Sequence, residues 1–274
     1  MAPSLFELRV LIRGGGEMAS GIAHRLHRCH MKVFITEVAE PTAVRRTVAF
    51  AEAVYQGSQT IEGVRAVRAA TTAEARQLSS GGCIAVLVDP QAAIRCEIKP
   101  EVIVDAIMAK KSSSVAIGDA TLVIGIGPGC TTGVNVHAVV ESNRGHHLGR
   151  VIWDGEAEPD TGVPAPVAGH TEARILRVPQ TGRFKALKEI GDVVKSGEPV
   201  GEIDGVSLQA RIPGMIRGLL RDGIQVQAGM KAGDVDPRGE REYCYAISDK
   251  ARAIGGGVLE AILHVFGDLK IPAA

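Results

Sequence analysis

Leu8-Arg9-Val10-Leu11-Ile12-Arg13-Gly14-Gly15-Gly16-Glu17-Met18-Ala19-Ser20-Gly21-Ile22-Ala23-His24-Arg25-Leu26 is the stretch on which the reading of this chain turns. Leu8 to Ile12 is a short apolar run, the pattern of a buried strand. The glycines interrupt it, and from Met18 to His30 the apolar residues Met18, Ile22, Ala23 and Leu26 recur at helical spacing. Lys32 to Glu37 is strand-like again, so the chain opens with a βαβ unit. Between strand and helix lies Gly14-x-Gly16-x-x-Ala19, with Gly15 inside it. Gly14 permits the tight turn, Gly16 admits a pyrophosphate, and the small Ala19 lets helix pack on strand. Free amides and the dipole at a helix start favour an anion. Glu37 stands at the ~20-residue distance expected of a ribose-binding carboxylate, which favours NAD over its 2′-phosphorylated form. The alternative is a domain that keeps the turn and binds another anion, or nothing.

Outward from this unit the alternation continues. Pro41 to Tyr55 reads as a helix, Gly63 to Val67 as a strand, Thr72 to Leu78 as a helix and Cys83 to Val88 as a strand stopped by Asp89-Pro90. Pro100 to Lys111 reads as a helix and Leu122 to Ile126 as a buried strand. The expected fold is α/β, a Rossmann-like doubly wound sheet. Gly125-Ile126-Gly127-Pro128-Gly129 ends the last strand, and Gly127, Gly129 and Asp89 are assigned to the ligand crevice at the strand ends. A loop shaped only by chain reversal is the other reading.

The second half carries a repeat. Shifted by 32 residues, Gly182, Gly191, Gly197 and Gly201 fall on Gly214, Gly223, Gly229 and Gly233, and Phe184, Val194 and Ile203 fall on Ile216, Val226 and Val235. Apolar residues between glycine turns at strand spacing predict two matching β units, a small duplicated barrel-sandwich. The expected organisation is 1–165 a nucleotide-binding domain, 166–240 the β module and 241–274 a helical segment docking on the first domain. The helix is predicted over Val258 to Val265, preceded by a loop, Ser248 to Gly257, in which Lys250 and Arg252 are candidates to grip a phosphate or carboxylate.

Bulk properties bound the function. Lys plus Arg and Asp plus Glu both total 31, so no global charge marks a nucleic-acid or acidic-membrane partner. Aromatics are 3% of residues, too few for base-stacking platforms. No apolar run reaches the roughly 18 residues of a membrane helix, and the N-terminus lacks signal-peptide features. The five cysteines form no CxxC pair, and reduced thiols in a cytoplasmic protein are expected. His24, His27 and His30 step around the first helix at three-residue intervals and converge poorly on a metal. Arg144, His146 and His137 are candidates for an anionic ligand. Cys130, after Gly129, reads as an inert small residue rather than a thiolate.

Two resemblances follow from these motifs. Gly191-Asp192-Val193-Val194-Lys195-Ser196-Gly197 and Pro213-Gly214-Met215 resemble the biotinyl/lipoyl domain over roughly residues 174–237. The tip where such domains carry their lysine is Asp204-Gly205-Val206-Ser207, so no covalent biotin or lipoyl group is expected. Across nearly the whole chain, Ile12 to Leu26, Glu37, Pro41 to Arg46, Val88-Asp89-Pro90, Val104-Asp105-Ala106, Ile124 to Gly129, Val136 to Glu141, Arg144-Gly145-His146 and Ser248 to Gly257 resemble the selenium-dependent molybdenum hydroxylase accessory family, related to xanthine dehydrogenase accessory proteins. It departs from that family at Lys111 to Val115 and at Cys130. The resemblance implies a maturation factor for a molybdenum hydroxylase client, holding NAD or molybdopterin dinucleotide. An NAD-dependent oxidoreductase, with His137 or His146 transferring the proton, and a non-catalytic protein-binding scaffold are the alternatives.

Overall fold

The chain is described by a computed structural model, which covers residues 7–108 and 114–267. Its first half forms β1 (Arg9–Arg13), α1 (Glu17–Arg28), β2 (Lys32–Glu37), α2 (Ala53–Gln56), β3 (Ser58–Ile61), β4 (Val64–Ala69), α3 (Thr72–Ser80), β5 (Ile84–Val88), α4 (Arg95–Ile98), β6 (Val102–Asp105), β7 (Leu122–Ile126), β8 (Ala138–Val140) and β9 (Val151–Ile152). The nine strands make one sheet in the order β3-β4-β5-β2-β1-β6-β7-β8-β9. Seven inner strands run parallel, and the edge pairs β3–β4 and β8–β9 are antiparallel.

Alternation along each central strand builds two cores. Val10, Ile12, Val33, Ile35, Val102 and Val104 face α1 and the C-terminal helix α5 (Asp249–Phe266). Leu11, Phe34, Ile103 and Val123 face the other way, onto Ala75 of α3 and Ile98 of α4. Local chemistry sets the helix starts. Thr71 accepts the Glu74 amide while Glu74 accepts the Ala70 amide before α3, and Ser248 accepts the Ala251 amide at α5.

The second half forms β10 (Ile175–Arg177), β11 (Gly182–Ala186), β12 (Val193–Val194), β13 (Pro199–Ile203), β14 (Val206–Gln209), β15 (Gly214–Leu219), β16 (Gln225–Val226) and β17 (Lys231–Asp236). They assemble as two four-stranded antiparallel sheets, β10-β17-β15-β12 and β14-β13-β11-β16, around Phe184, Ile203, Ile216 and Leu219.

This architecture corrects the expected fold class. The large sheet is mixed rather than a doubly wound one, and the second half is two four-stranded antiparallel sheets around one core rather than the expected duplicated barrel-sandwich. The 32-residue spacing locates strands but not their partners: β12 pairs with β15 and β16 with β11, each joining the sheet of the other repeat. Two predicted helices also fail. Residues 41–55 give only 3-10 turns over Arg46–Val48 and Phe50–Glu52 and the short α2. There the Leu219 amide donates to Val44 O at 2.9 Å, Arg46 Nε donates to Leu219 O at 2.8 Å and Thr47 Oγ1 to Cys244 O at 2.5 Å, so tertiary partners outweigh helix propensity. Within 100–111 the contiguous Val102-Ile103-Val104 is a central strand, as a β-branched run buried on both faces should be. Ala109 to Lys111 of that prediction, and Lys111 to Ser113 of the family departure, lie outside the described residues.

The loop expected before the last helix is helical as well. Gly255-Gly256-Gly257 lies inside α5, and close crossings demand small residues at Gly255 and Gly257: a Cβ on Gly21 of α1 would stand 2.7 Å from the Ala251 Cβ, one on Gly255 3.1 Å from Gly21 O, and one on Gly257 would overlap Gly149 O. No helix among the described residues is long and apolar enough to cross a membrane.

Candidate functional site

The glycine turn is built by packing at two positions and left open at the third. Gly14 takes φ +88°, and a Cβ there would stand 3.3 Å from Ile107 Cγ1. A Cβ on Gly15 would stand 2.9 Å from the Ala51 amide nitrogen, which donates to Gly15 O. Gly16 caps α1 with φ −67°, and nothing lies within 4 Å of where its Cβ would be. We therefore expect Gly15→Ala to cost about 1–3 kcal/mol through overpacking, with Gly16→Ala within about 1 kcal/mol of the parent. Urea denaturation of both variants checks this, and equal losses would refute it.

Glu37 is not poised for a ribose. Its Oε2 accepts the Gly15 amide at 2.7 Å and its Oε1 the Val38 amide at 2.8 Å. Asp89 Oδ2 accepts the Ile94 amide at 2.8 Å, closing the turn after β5. The crevice between β1 and β6, where the connections diverge to opposite sides, is occupied by the protein itself. Arg13 Nη1 donates to Asp105 Oδ2 at 2.6 Å, with Ala106 and Ile107 against Gly14.

A cavity of about 640 Å³ opens instead beside the first turn of α1. Glu17, Met18 and Met108 line it together with Pro128, Ser142, Asn143 and most of the proline-rich segment 158–167, the strap. Among the described residues no acceptor meets the amides of Gly16, Glu17 and Met18. Five cations line the cavity, Arg144, Arg174, Arg217, Lys231 and Lys250, beside the carboxylates of Glu17, Glu158, Asp160 and Asp234.

Three of these cations share one carboxylate. Asp234 Oδ2 lies 3.2 Å from Arg174 Nη1, 3.0 Å from Arg217 Nη2 and 3.4 Å from Lys231 Nζ. Asp234 is 1% exposed, and its Oδ1, like Arg174 Nε and Arg217 Nε, is buried without a partner. Burial alone would raise the Asp234 carboxyl, but Lys231 and Arg217 hold it at about 2. Burial pushes Arg174 down. It pulls Arg217 down too, and Asp234 more than reverses that. Lys250 differs from its neighbours. No hydrogen-bond or ion-pair partner meets its ammonium among the described residues, and burial, reinforced by Arg144, lowers its pKa. Arg144 itself is clamped by Asp249 at 2.5 and 2.8 Å, which holds the Asp249 carboxyl at about 2. Behind the Glu17 wall, Arg45 Nη1 holds Glu17 Oε1 at 3.1 Å. Burial lowers the Arg45 pKa.

The predicted residues are thus only partly gathered. Lys250 and Arg144 line the cavity, the Gly16 amide starts the helix whose Glu17 and Met18 line it, and Ala19 is buried against the sheet. Gly127 is a packing residue, because a Cβ there would overlap Ser142 Oγ, and Gly129 takes φ +95° after the cavity-lining Pro128. His146 is exposed and stacks edge-on with His147. Arg252 pairs with Glu62 at 2.6 Å, far in sequence from the strap, and fixes α5 to the β3–β4 turn. His137 Nδ1 accepts the Val123 amide at 2.9 Å and serves the sheet. Burial, then Asp105, pushes the Cys130 thiol up to about 11, so iodoacetamide at neutral pH should alkylate the exposed Cys96 at least about tenfold faster. Comparable rates by mass spectrometry would contradict that assignment. Arg174, Arg217, Lys231 and Asp234 were not signalled by any motif. Their trace is two aspartates, Asp234 and Asp236, in strand register with the buried Ala232.

Fold and cavity together define a mixed α/β protein with a charge-rich pocket at the carboxyl end of its main sheet. No family model matches the chain. It is 48% identical over 254 residues to the uncharacterized protein YqeB of Escherichia coli (strain K12), covering 93% of this chain and 47% of that protein. The chain thus spans about half the length of the curated relative it matches. Among solved structures it overlaps the ectoine utilization protein EutE (DoeB) of Ruegeria pomeroyi at 10% identity and TM-score 0.27, over 84% of this chain and 85% of that one. It overlaps an aspartoacylase family protein of Mesorhizobium loti at 10% identity and TM-score 0.26, over 84% and 85%. TcdA (CsdL) gives 12% identity and TM-score 0.31 over 95% and 89%. Overlaps at these scores settle neither fold nor chemistry.

These findings correct the functional expectations. Neither the relative nor the solved structures point to a molybdenum hydroxylase, to selenium or to xanthine dehydrogenase maturation, so membership of that accessory family is not supported. The oxidoreductase alternative loses its proton-transfer groups, since His137 is bonded within the sheet and His146 lies outside the cavity. A protein-binding scaffold has no support in these comparisons either.

Proposed function

We propose that the chain binds a small polyanion, carrying phosphate or carboxylate groups, in the cavity between the α1 start and β15–β17. The observation that carries this reading is charge accounting: Arg174, Arg217 and Lys231 converge on Asp234, with Arg217 also 3.8 Å from Asp236, and Lys250 has no hydrogen-bond or ion-pair partner among the described residues. Buried cations in excess of their carboxylates are stabilised by an anion from solution. The free amides of Gly16, Glu17 and Met18 add donors from one side. The same reading sets the protein in the cytoplasm, where its five unpaired cysteines stay reduced.

Inorganic pyrophosphate is the simplest probe of the class. Calorimetric titration should give saturable binding that weakens with salt. Lys250→Met should weaken it at least about tenfold, the equivalent of one charge-assisted contact of about 1.5–3 kcal/mol. Pyrophosphate binding unchanged by Lys250→Met, or no binding at all, would refute the site.

A further inference from the structure

The cavity holds one amine unlike the other cations around it. Arg144, Arg174, Arg217 and Lys231 each lie against a carboxylate, at 2.5, 3.2, 3.0 and 3.4 Å. Lys250 lies against none among the described residues, and it sits at the start of a long helix locked onto α1. A guanidinium cannot lose its proton at physiological pH, whereas an ammonium without a counter-ion in a half-buried pocket can. An anchor for charge needs no such exception, and the three cations on Asp234 already supply anchoring.

We propose that Lys250 is a nucleophilic amine that forms an imine with an aldehyde or ketone bearing a phosphate or carboxylate group, the anionic end resting on Arg174, Arg217 and Lys231. This rests on the anion site proposed above and adds its chemistry. The unprotonated Nζ attacks the carbonyl carbon, and a C–N bond forms as the carbonyl π pair moves to oxygen. A proton passes from nitrogen to that oxygen. The nitrogen lone pair then expels it as hydroxide, which leaves as water on protonation and gives the iminium. No oxidant or reductant enters. Burial and the neighbouring Arg144 lower the Lys250 pKa, while Glu17, Glu141 and Asp160 oppose the shift. The balance enlarges the fraction of free amine at neutral pH.

Pyridoxal 5′-phosphate carries both an aldehyde and a phosphate, and borohydride fixes its imine for peptide mass mapping. At limiting reagent, labelling at Lys250 should exceed that at the exposed Lys99 and Lys195 by about tenfold or more, because a lowered pKa enlarges its share of free amine. Inorganic pyrophosphate should protect Lys250 alone, and pyridoxal without its phosphate should lose the preference. Lys250→Arg should abolish the cavity adduct while still binding pyrophosphate in the calorimeter. Labelling spread evenly over surface lysines overturns the proposal even if pyrophosphate binds. Selective Lys250 labelling with no pyrophosphate binding or protection would sink the anion site and leave the reactive amine standing, so the two failures are distinguishable.

Discussion

Replacing Asp234 with asparagine is expected to lower stability by about 3–5 kcal/mol, the cost of leaving buried charge uncompensated. The carboxylate is 1% exposed and is the common partner of Arg174, Arg217 and Lys231. Asparagine keeps the shape and removes the charge, so the loss measures electrostatics rather than a cavity. Pyrophosphate should return part of it, because an external anion then neutralises the same cations. The pH dependence has a definite sign. The folded carboxyl sits at about 2, below the usual aspartate range. Its contribution is therefore present above about pH 4 and is lost as pH falls toward 2. Urea melts of the parent and Asp234→Asn at pH 7 and pH 3 should show the gap narrowing at the lower pH without closing, since a carboxyl at about 2 is still largely ionised at pH 3. A gap below about 1 kcal/mol at pH 7 would show that the cluster does not depend on this carboxylate.

The second large effect lies in α5, where neighbouring glycines should respond with opposite signs. A Cβ on Gly257 would overlap the carbonyl oxygen of Gly149 and stand 2.9 Å from Val140 Cγ1, whereas nothing lies within 4 Å of one on Gly256. Alanine gains about 1 kcal/mol over glycine in a helix interior. At Gly256 that gain should appear nearly whole, as a higher Tm. At Gly257 it is set against a backbone collision costing about 3 kcal/mol, and the net loss should be about 2. Amide exchange along α5 should speed up in Gly257→Ala as the helix lifts from the sheet. Two alanine variants of equal stability would mean the crossing is looser than described.

What the sequence disclosed follows the physics of each signal. Lys32–Glu37 and Leu122–Ile126 were legible as strands to the residue, because apolar runs between turns are a local signal. The 32-residue spacing placed β11, β12 and β13 against β15, β16 and β17. Strand exchange between the two repeats was not legible, since pairing is a long-range property. Residues 41–55 were misread because their hydrogen bonds go to Leu219 and Cys244, far along the chain. At the site, the glycine turn was located, and Gly14 takes the positive φ that a tight turn asks for. Gly14 and Gly15 answer to Ile107 and Ala51, contacts that no spacing rule contains. Lys250 was singled out as a cation of interest in an expected loop; it lines the cavity from the first turn of a helix. The Asp234 cluster stayed hidden because its members come from three strands or turns brought together only by folding.

The exchange of β12 and β16 has a mechanical consequence. Each repeat lends its shortest strand to the other, so pulling on one peels an edge from its neighbour. A backbone nick at the Asp204–Gly205 turn would leave two fragments, each missing a border that only its counterpart supplies. The pairings β10–β17, β11–β16, β12–β15 and β13–β14 would all have to form between the fragments, so the strands carrying Arg217, Lys231 and Asp234 depend on the counterpart for their flanking partners.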